Sequence, residues 1–189
     1  MARPPSIDEA QLLDLLVPVF REKGFDGTVI GDLSAASGLQ RASLYHRFPA
    51  GKEEIADTVL TKVGERFLWI LDPMQSDSDV ARGITETARR LNDFYGAGAL
   101  SCVLDTMTLA GTPQKVRDHA RALAVTWIDA MTDAARRAGR QPEDAARAAK
   151  DAFLRIEGSL VLARVLGDTE PFTEAVGLLP SLLMPAHHP

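Results

Sequence analysis

An all-α fold of about nine helices is what this sequence predicts, and three observations predict it. Apolar residues recur at three- and four-residue steps along nearly the whole chain, the mark of one buried helix face after another. Glycines and prolines stand at the ends of these runs, where helices begin and stop. No stretch shows sustained period-2 alternation, an Asn-Gly hairpin or a Gly-rich phosphate loop, and there is neither an internal repeat nor a low-complexity tract.

Taken in order, Ile7, Leu13, Leu16, Val17 and Phe20 mark one face of a first helix, with Gly24 as its C-terminal cap. Pro18 lies inside it and is expected to remove the hydrogen bond to Asp14 and kink the helix. Thr28 is the expected N-cap of a short second helix carrying Ile30, Leu33 and Ala36, closed by Gly38. Leu44 and Phe48, four apart, define a short third helix stopped by Pro49. Lys52 opens a long fourth helix through Ile55, Val59, Val63, Phe67 and Ile70, expected to stop before Pro73. Beyond a linker, Asp72 to Asp79, a fifth runs through Val80, Ile84, Ala88, Leu91 and Tyr95 until Gly96 and Gly98 break it. Leu100, Val103, Leu104 and Met107 form a shorter apolar face. Thr112-Pro113 reads as an N-cap followed by proline at the first helical position, opening a helix through Val116, Trp127 and Ala134 to Gly139. Pro142 opens the next, capped near Gly167, and a single last helix is expected from Pro171.

The 189 residues are 46% apolar and 25% charged, enough for a real core and unlike a disordered chain. The lone Cys102 excludes an internal disulfide and any cysteine-built zinc site, and it suits a reducing, cytoplasmic compartment. No apolar run approaches the ~20 residues that span a bilayer. Met1-Ala2-Arg3-Pro4-Pro5 leads into Asp8, Glu9 and Asp14, with no signal-peptide apolar region after the arginine. The net charge of −5 is uneven. Residues 1–52 hold six basic and six acidic side chains, and Leu33 to Lys52 holds Arg41, His46, Arg47 and Lys52 with no acid. Such a run suggests an anionic partner, although four basic residues in twenty also arise by chance.

The most informative stretch is TVIGDLSAASGLQRASLYHRFPAGK, Thr28 to Lys52. Two short amphipathic helices joined by a Gly-containing turn form a helix-turn-helix, held by Ile30, Leu33, Ala36, Leu39, Leu44 and Phe48. The second helix then presents Gln40, Arg41, Ala42, Ser43, Tyr45, His46 and Arg47 outward. Gln and Arg suit base edges in a major groove, and a small Ala or Ser permits close approach. Thr28, Tyr45, Arg47 and Lys52 suit phosphates, which fix register. Two packed helices with a merely solvated polar face would give the same pattern.

From Phe20 to Leu60 the chain resembles the DNA-binding domain of the TetR family of bacterial transcriptional repressors. The resemblance rests on F-x-x-x-G-F, T-V-x-x-x-L-x-x-x-x-G, L-Y-x-x-F and K-E-E in that order. The Ala50-Gly51 spacer, Ser101-Cys102-Val103 and the run Ile156 to Arg164 are similar to the branch named for LmrA and YxaF. The resemblance implies a helix-turn-helix DNA-binding domain over 1–52 and an effector-binding and dimerisation domain over 53–189. It implies phosphate contacts at Thr28, Tyr45 and Lys52, and base-edge positions at Gln40, Arg41 and Ser43. Arg47 stands where the family more usually has His, which keeps a phosphate contact and strengthens its charge. The implied protein is a homodimer that binds a palindromic double-stranded DNA operator and is released by a small hydrophobic effector, with no cofactor and no membrane partner.

One recognition helix reads few bases, so a two-fold dimer is needed to double the site. The small-residue stripe Ala145, Ala149, Ala152, Ile156, Leu160 and Ala163, with Phe172, Val176, Leu179 and Leu183, is the expected dimer face. From the residues alone, the same stripes would equally pack on the monomer's own core. The pocket candidates are Phe67, Phe94, Tyr95, Met107, Trp127, Met131 and Phe153, which would serve equally as core. Enzymatic readings find little support. Cys102 has no sequence-adjacent base and suits a small buried side chain, and His119 between Arg117 and Arg121 reads as solvated. Glu53-Glu54 and Glu143-Asp144 sit in first helical turns, where the macrodipole favours anions. His187-His188 has no further clustered metal ligands. The alternative class is an all-α small-molecule binding or adaptor protein that does not read DNA.

Overall fold

The computed structural model describes residues 7–185, so the Met1–Pro5 segment and the His187-His188 pair lie outside the described residues. Ten α-helices, one 3₁₀ turn and no strand are found among them. They are α1 Glu9–Gly27, α2 Ile30–Ser37, α3 Arg41–Arg47, α4 Lys52–Ser76, α5 Val80–Phe94, the 3₁₀ turn Gly96–Gly98, α6 Val103–Thr106, α7 Gln114–Arg137, α8 Pro142–Leu166, α9 Glu170–Gly177 and α10 Leu179–Leu183. The chain packs as two compact units, 1–65 with 103–121 and 66–102 with 122–189, so α4 and α7 each contribute to both. This division by packing is a different partition from the one expected at residue 52.

In the first unit, α1 is capped by Asp8, whose carboxylate accepts from Gln11 N at 2.7 Å. It buries Leu12, Leu16 and Phe20 and packs against α2 and α6. The helical dihedrals survive Pro18 and fail instead at Gly24, at φ 66° and ψ −176°. The proline is exposed, so water can reach the Asp14 carbonyl it leaves without an intrahelical donor. Gly24 turns the chain because a Cβ there would stand 2.6 Å from the Thr106 carbonyl oxygen. Thr106 Oγ1 also donates to the Phe20 carbonyl at 3.1 Å, tying α6 to the end of α1.

Thr28 does not cap α2. The N-cap is Val29, whose backbone N–H donates to Asp32 Oδ2 at 3.0 Å. Thr28 closes α1 instead, its hydroxyl donating to the Gly24 carbonyl at 2.6 Å. The left-handed C-cap of α2 at Gly38 is as the sequence predicts.

The second unit departs from expectation at two prolines. α4 runs through Pro73 to Ser76 rather than stopping. A proline in a helix leaves the carbonyl four residues back without its donor. Here that carbonyl belongs to Trp69, and Arg90 Nη1 of α5 donates to it at 2.5 Å. The end of α4 is capped by Arg137, whose guanidinium donates to the carbonyls of Met74, Gln75 and Asp77. The last expected helix is two, α9 and α10, broken at Leu178 ahead of Pro180. Arg140 caps α10 through the carbonyls of Leu182, Leu183 and Met184.

The core of this unit is made by α8, α9, α10 and α5 with a chain of aromatic edges. Phe67 meets Phe94 at 5.4 Å and Trp127 at 4.9 Å, and Trp127 meets Phe153 at 5.9 Å. Phe94 meets Tyr95 at 4.9 Å, and Tyr95 meets Phe172 at 5.5 Å. The 3₁₀ turn closes on Phe172 at Gly98, where φ is +94° and a Cβ would stand 2.7 Å from Phe172 Cβ. Gly98→Ala is therefore expected to lower stability by about 2–3 kcal/mol, through strain and displacement of Phe172. Gly158→Ala, in the middle of α8 with nothing within 4 Å of its Cβ position, should instead be neutral or stabilise by up to ~1 kcal/mol. Urea unfolding of the two variants checks the contrast.

Candidate nucleic-acid interface

Seven residues make α3, too few to hold a helix in water without tertiary support. Its support comes from Leu44 and Phe48, buried against the first unit, and from the turn 48–51, where Gly51 N donates to the Phe48 carbonyl at 2.9 Å. Between α2 and α3, Ser34 Oγ donates to the Leu39 carbonyl at 2.6 Å and fixes the entry to α3. With Leu44 turned inward, Gln40, Arg41, Ala42, Ser43, Tyr45 and His46 are all exposed. Tyr45 is 50% exposed, and its ring lies against Gly51, where a Cβ would stand 3.4 Å from Cε1.

The other three expected contact residues sit differently. Thr28 is fully buried with its hydroxyl engaged, so its side chain is not offered to a phosphate. Lys52 is half-buried; its Nζ donates to the carbonyls of Phe25 at 2.8 Å and Thr28 at 2.9 Å, and lies 4.2 Å from the Phe25 ring centroid. Arg47 is half-buried and donates through Nη2 to the Ile7 carbonyl at 2.8 Å. Lys52 and Arg47 thus fasten α3 and α4 to the ends of α1, with donors left over. Two neighbours escaped the sequence reading. Val29 stands exposed at the start of α2, and Asp32 is held below its usual carboxylate pKa by the Lys23 ammonium at 2.7 Å and then by Val29 N–H. The signal for Asp32 was present, since an acid three residues after an N-cap is half of a capping box.

Behind the helix-turn-helix, α7 grips α4. Asp57 accepts from Lys115 Nζ at 2.8 Å, and His119 Nδ1 lies 2.7 Å from its other oxygen. His119 is therefore not merely solvated, as expected, but placed by a carboxylate 62 residues away. Burial acts to raise the Asp57 pKa, yet the hydrogen bonds and charges of Lys115 and His119 outweigh it and leave it lowered.

The expected dimer face lies inside the second unit. Ala145, Ala149, Ala152, Ile156, Leu160 and Ala163 are buried, as are Phe172, Val176, Leu179 and Leu183. They join α8 to α9 and α10, because these three helices need their small and bulky faces for each other. What α8 leaves exposed is a second apolar row: Leu154, Val161, Leu162, Val165 and Leu166, with Leu154 68% and Val165 72% exposed. Of the pocket candidates, Phe67, Phe94, Tyr95, Trp127 and Phe153 join in the aromatic chain, with Met131 buried one turn beyond Trp127. Met107 falls in the first unit, apart from this set. Trp127 Nε1 is buried and makes no hydrogen bond among the described residues. Cys102 is buried, with Tyr95 Oη 3.4 Å from its sulfur.

Comparison with known proteins finds two matching family models. That of bacterial regulatory proteins of the tetR family matches residues 12–59, and that of the transcriptional regulator LmrA/YxaF-like C-terminal domain matches residues 79–177. The chain is 25% identical over 183 residues to the HTH-type transcriptional regulator LmrA of Bacillus subtilis, covering 92% of this chain and 95% of LmrA. Its fold is similar to that of a TetR transcriptional regulator from Legionella pneumophila, with TM-score 0.83 and 17% identity over 95% of this chain and 98% of the other. It is also similar to CifR, a TetR-family regulator solved as a cysteine mutant with 26-bp double-strand operator DNA, with TM-score 0.76 and 22% identity over 95% and 98% of the two chains.

A lowered carboxyl pKa supplies stability above its unfolded value of ~3.9, and that stability is lost as pH falls through the folded value. Asp57→Asn should therefore cost most between about pH 5 and 8, and the gap to the native chain should close below about pH 4. Denaturation midpoints measured across that range check it.

Proposed function

The chain belongs to the TetR family of bacterial transcriptional regulators, in its LmrA/YxaF-like branch, and from that premise we propose that it is a homodimeric repressor binding a palindromic operator. Members of this family are regulators and not enzymes. The observation that carries the reading is the exposed, acid-free face of α3, held by buried Leu44 and Phe48. In this reading residues 1–52 are the DNA-binding domain and 53–189 the effector and dimerisation domain. By the resemblance Gln40, Arg41 and Ser43 lie near base edges, with the small Ala42 permitting close approach, and Tyr45 contacts a phosphate, with His46 exposed beside it. Arg47 and Lys52 contribute charge from half-buried positions while they hold α3 in place. The protein acts where bacterial DNA is, in the cytoplasm, and no helix among the described residues is long and apolar enough to cross a membrane.

Dimerisation falls to the exposed row of α8, Leu154, Val161, Leu162 and Val165. The effector is a small hydrophobic molecule entering among the rings around Trp127, where Phe94 and Phe153 are only half-buried. Its binding favours a dimer in which α4 is displaced and the separation of the two α3 helices altered; it must bind that form more tightly than the DNA-bound form, and tenfold release needs about 1.4 kcal/mol of coupling.

Duplexes flanking the protein's own gene, titrated in a salt series, supply the test. Tight binding to a palindrome that weakens roughly tenfold in Tyr45→Ala is the expected outcome. Binding absent in both proteins would leave the ligand-binding module instead. Val165→Glu places a charge on the exposed α8 row and should halve the mass measured by light scattering at micromolar concentration, with operator binding lost in parallel.

A further inference from the structure

Gly31 is the second residue of α2, and its dihedrals are helical, so no turn requires a glycine there. Glycine in a helix is ordinarily a cost relative to alanine. What it leaves open is a seat: a Cβ at Gly31 would stand 3.0 Å from Arg41 Nη2 and 3.9 Å from Arg41 Cζ. The Arg41 side chain therefore runs back from the first turn of α3 and rests its guanidinium across the first turn of α2. Arg41 is exposed and makes no hydrogen bond or ion pair among the described residues. The nearest acid in sequence on α2, Asp32, has its oxygens engaged by Lys23 Nζ and Val29 N–H. So the guanidinium is placed by shape, without an anion to hold it.

We propose that Gly31 and Arg41 form a phosphate clamp, in which the seat at Gly31 aims the Arg41 guanidinium at a backbone phosphate beside α2 rather than at a base edge. The proposal rests on the DNA-binding reading above and alters the role that the family resemblance gives Arg41. A planar guanidinium pairs with phosphate in bidentate fashion, and a contact of that kind fixes position while carrying no sequence information. Base reading then falls to side chains that leave α3 away from α2.

The test begins by selecting sites from a random duplex pool with the native protein. Affinity for the selected site is then measured against salt for the native chain, Arg41→Ala, Gly31→Leu and the double variant. Leucine forms helices better than glycine, so Gly31→Leu fills the seat without weakening α2. Arg41→Ala is expected to select the same consensus, bind it roughly tenfold more weakly, and lose about one contact from the salt slope. Gly31→Leu should reproduce both effects with the arginine still present, and the double variant should be no worse than Arg41→Ala. A changed consensus in Arg41→Ala overturns the clamp in favour of base reading, and so does an additive loss in the double variant. A native chain that selects a consensus with both variants unaffected overturns the clamp alone, whereas a native chain that selects none overturns the DNA-binding reading as well.

Discussion

Everything the first unit presents to its surroundings depends on how one lysine closes the corner between α1 and α2. Helix ends leave carbonyls without donors, and the chain here leaves α1 abruptly at Gly24. The Lys52 ammonium donates to two carbonyls at this corner, that of Thr28 and that of Phe25, which also accepts from Thr28 N–H, while resting over the Phe25 ring. Because Lys52 is also the first residue of α4, one side chain fixes the start of the long helix against the end of the first. α3 lies in the chain between those two fixed points, and with seven residues it has no stability of its own to resist being moved. Arg47 repeats the device at the other end, tying the last turn of α3 to the Ile7 carbonyl.

The second unit solves its helix ends in the same way, with arginine in place of lysine. Arg137 and Arg140, at the close of α7 and just past it, cap α4 and α10, and Arg90 serves the carbonyl that Pro73 strands inside α4. A guanidinium suits this task because its fork of donors reaches two or three carbonyls from one position. An acidic protein thus places several of its cations at helix C-termini, where the macrodipole favours them.

The same device marks the boundary of what the sequence makes legible. The order of the helices, the helix-turn-helix and the buried Leu33, Leu44 and Phe48 follow from periodicity, because a helix face and its period are local properties. Gly24, Gly38, Pro142 and Gly167 mark ends for the same reason. Pro73 misleads because its cost is cancelled by a residue 17 positions on, and no local pattern shows that Arg90 will reach Trp69. Thr28 misleads because a threonine that closes one helix reads identically to one that opens the next. The α8 stripe misleads most. Ala149, Ile156 and Leu160 look like an interface, yet the regularity that recommends them is what α9 and α10 pack against. Left over are Leu154, Val161 and Val165, which give α8 a second apolar row that the monomer does not bury.

The division of labour among the cations bears on how strongly such a domain can hold DNA. Residues 1–52 carry equal numbers of basic and acidic side chains, and Lys23, Arg47 and Lys52 already donate to internal acceptors. With basic and acidic side chains balanced over these residues, the sequence-independent attraction to phosphates is small, and so is the counterion release that accompanies it. In the proposed homodimer, affinity would then come from two copies acting together, each adding a short face of Gln40, Ala42, Ser43 and Tyr45 at fixed separation. That makes the rigid seating of α3 more important than its charge. A helix with few contacts gains from each only if it arrives already in register, and the tethers from Lys52 and Arg47 keep it there at the expense of their full reach toward DNA.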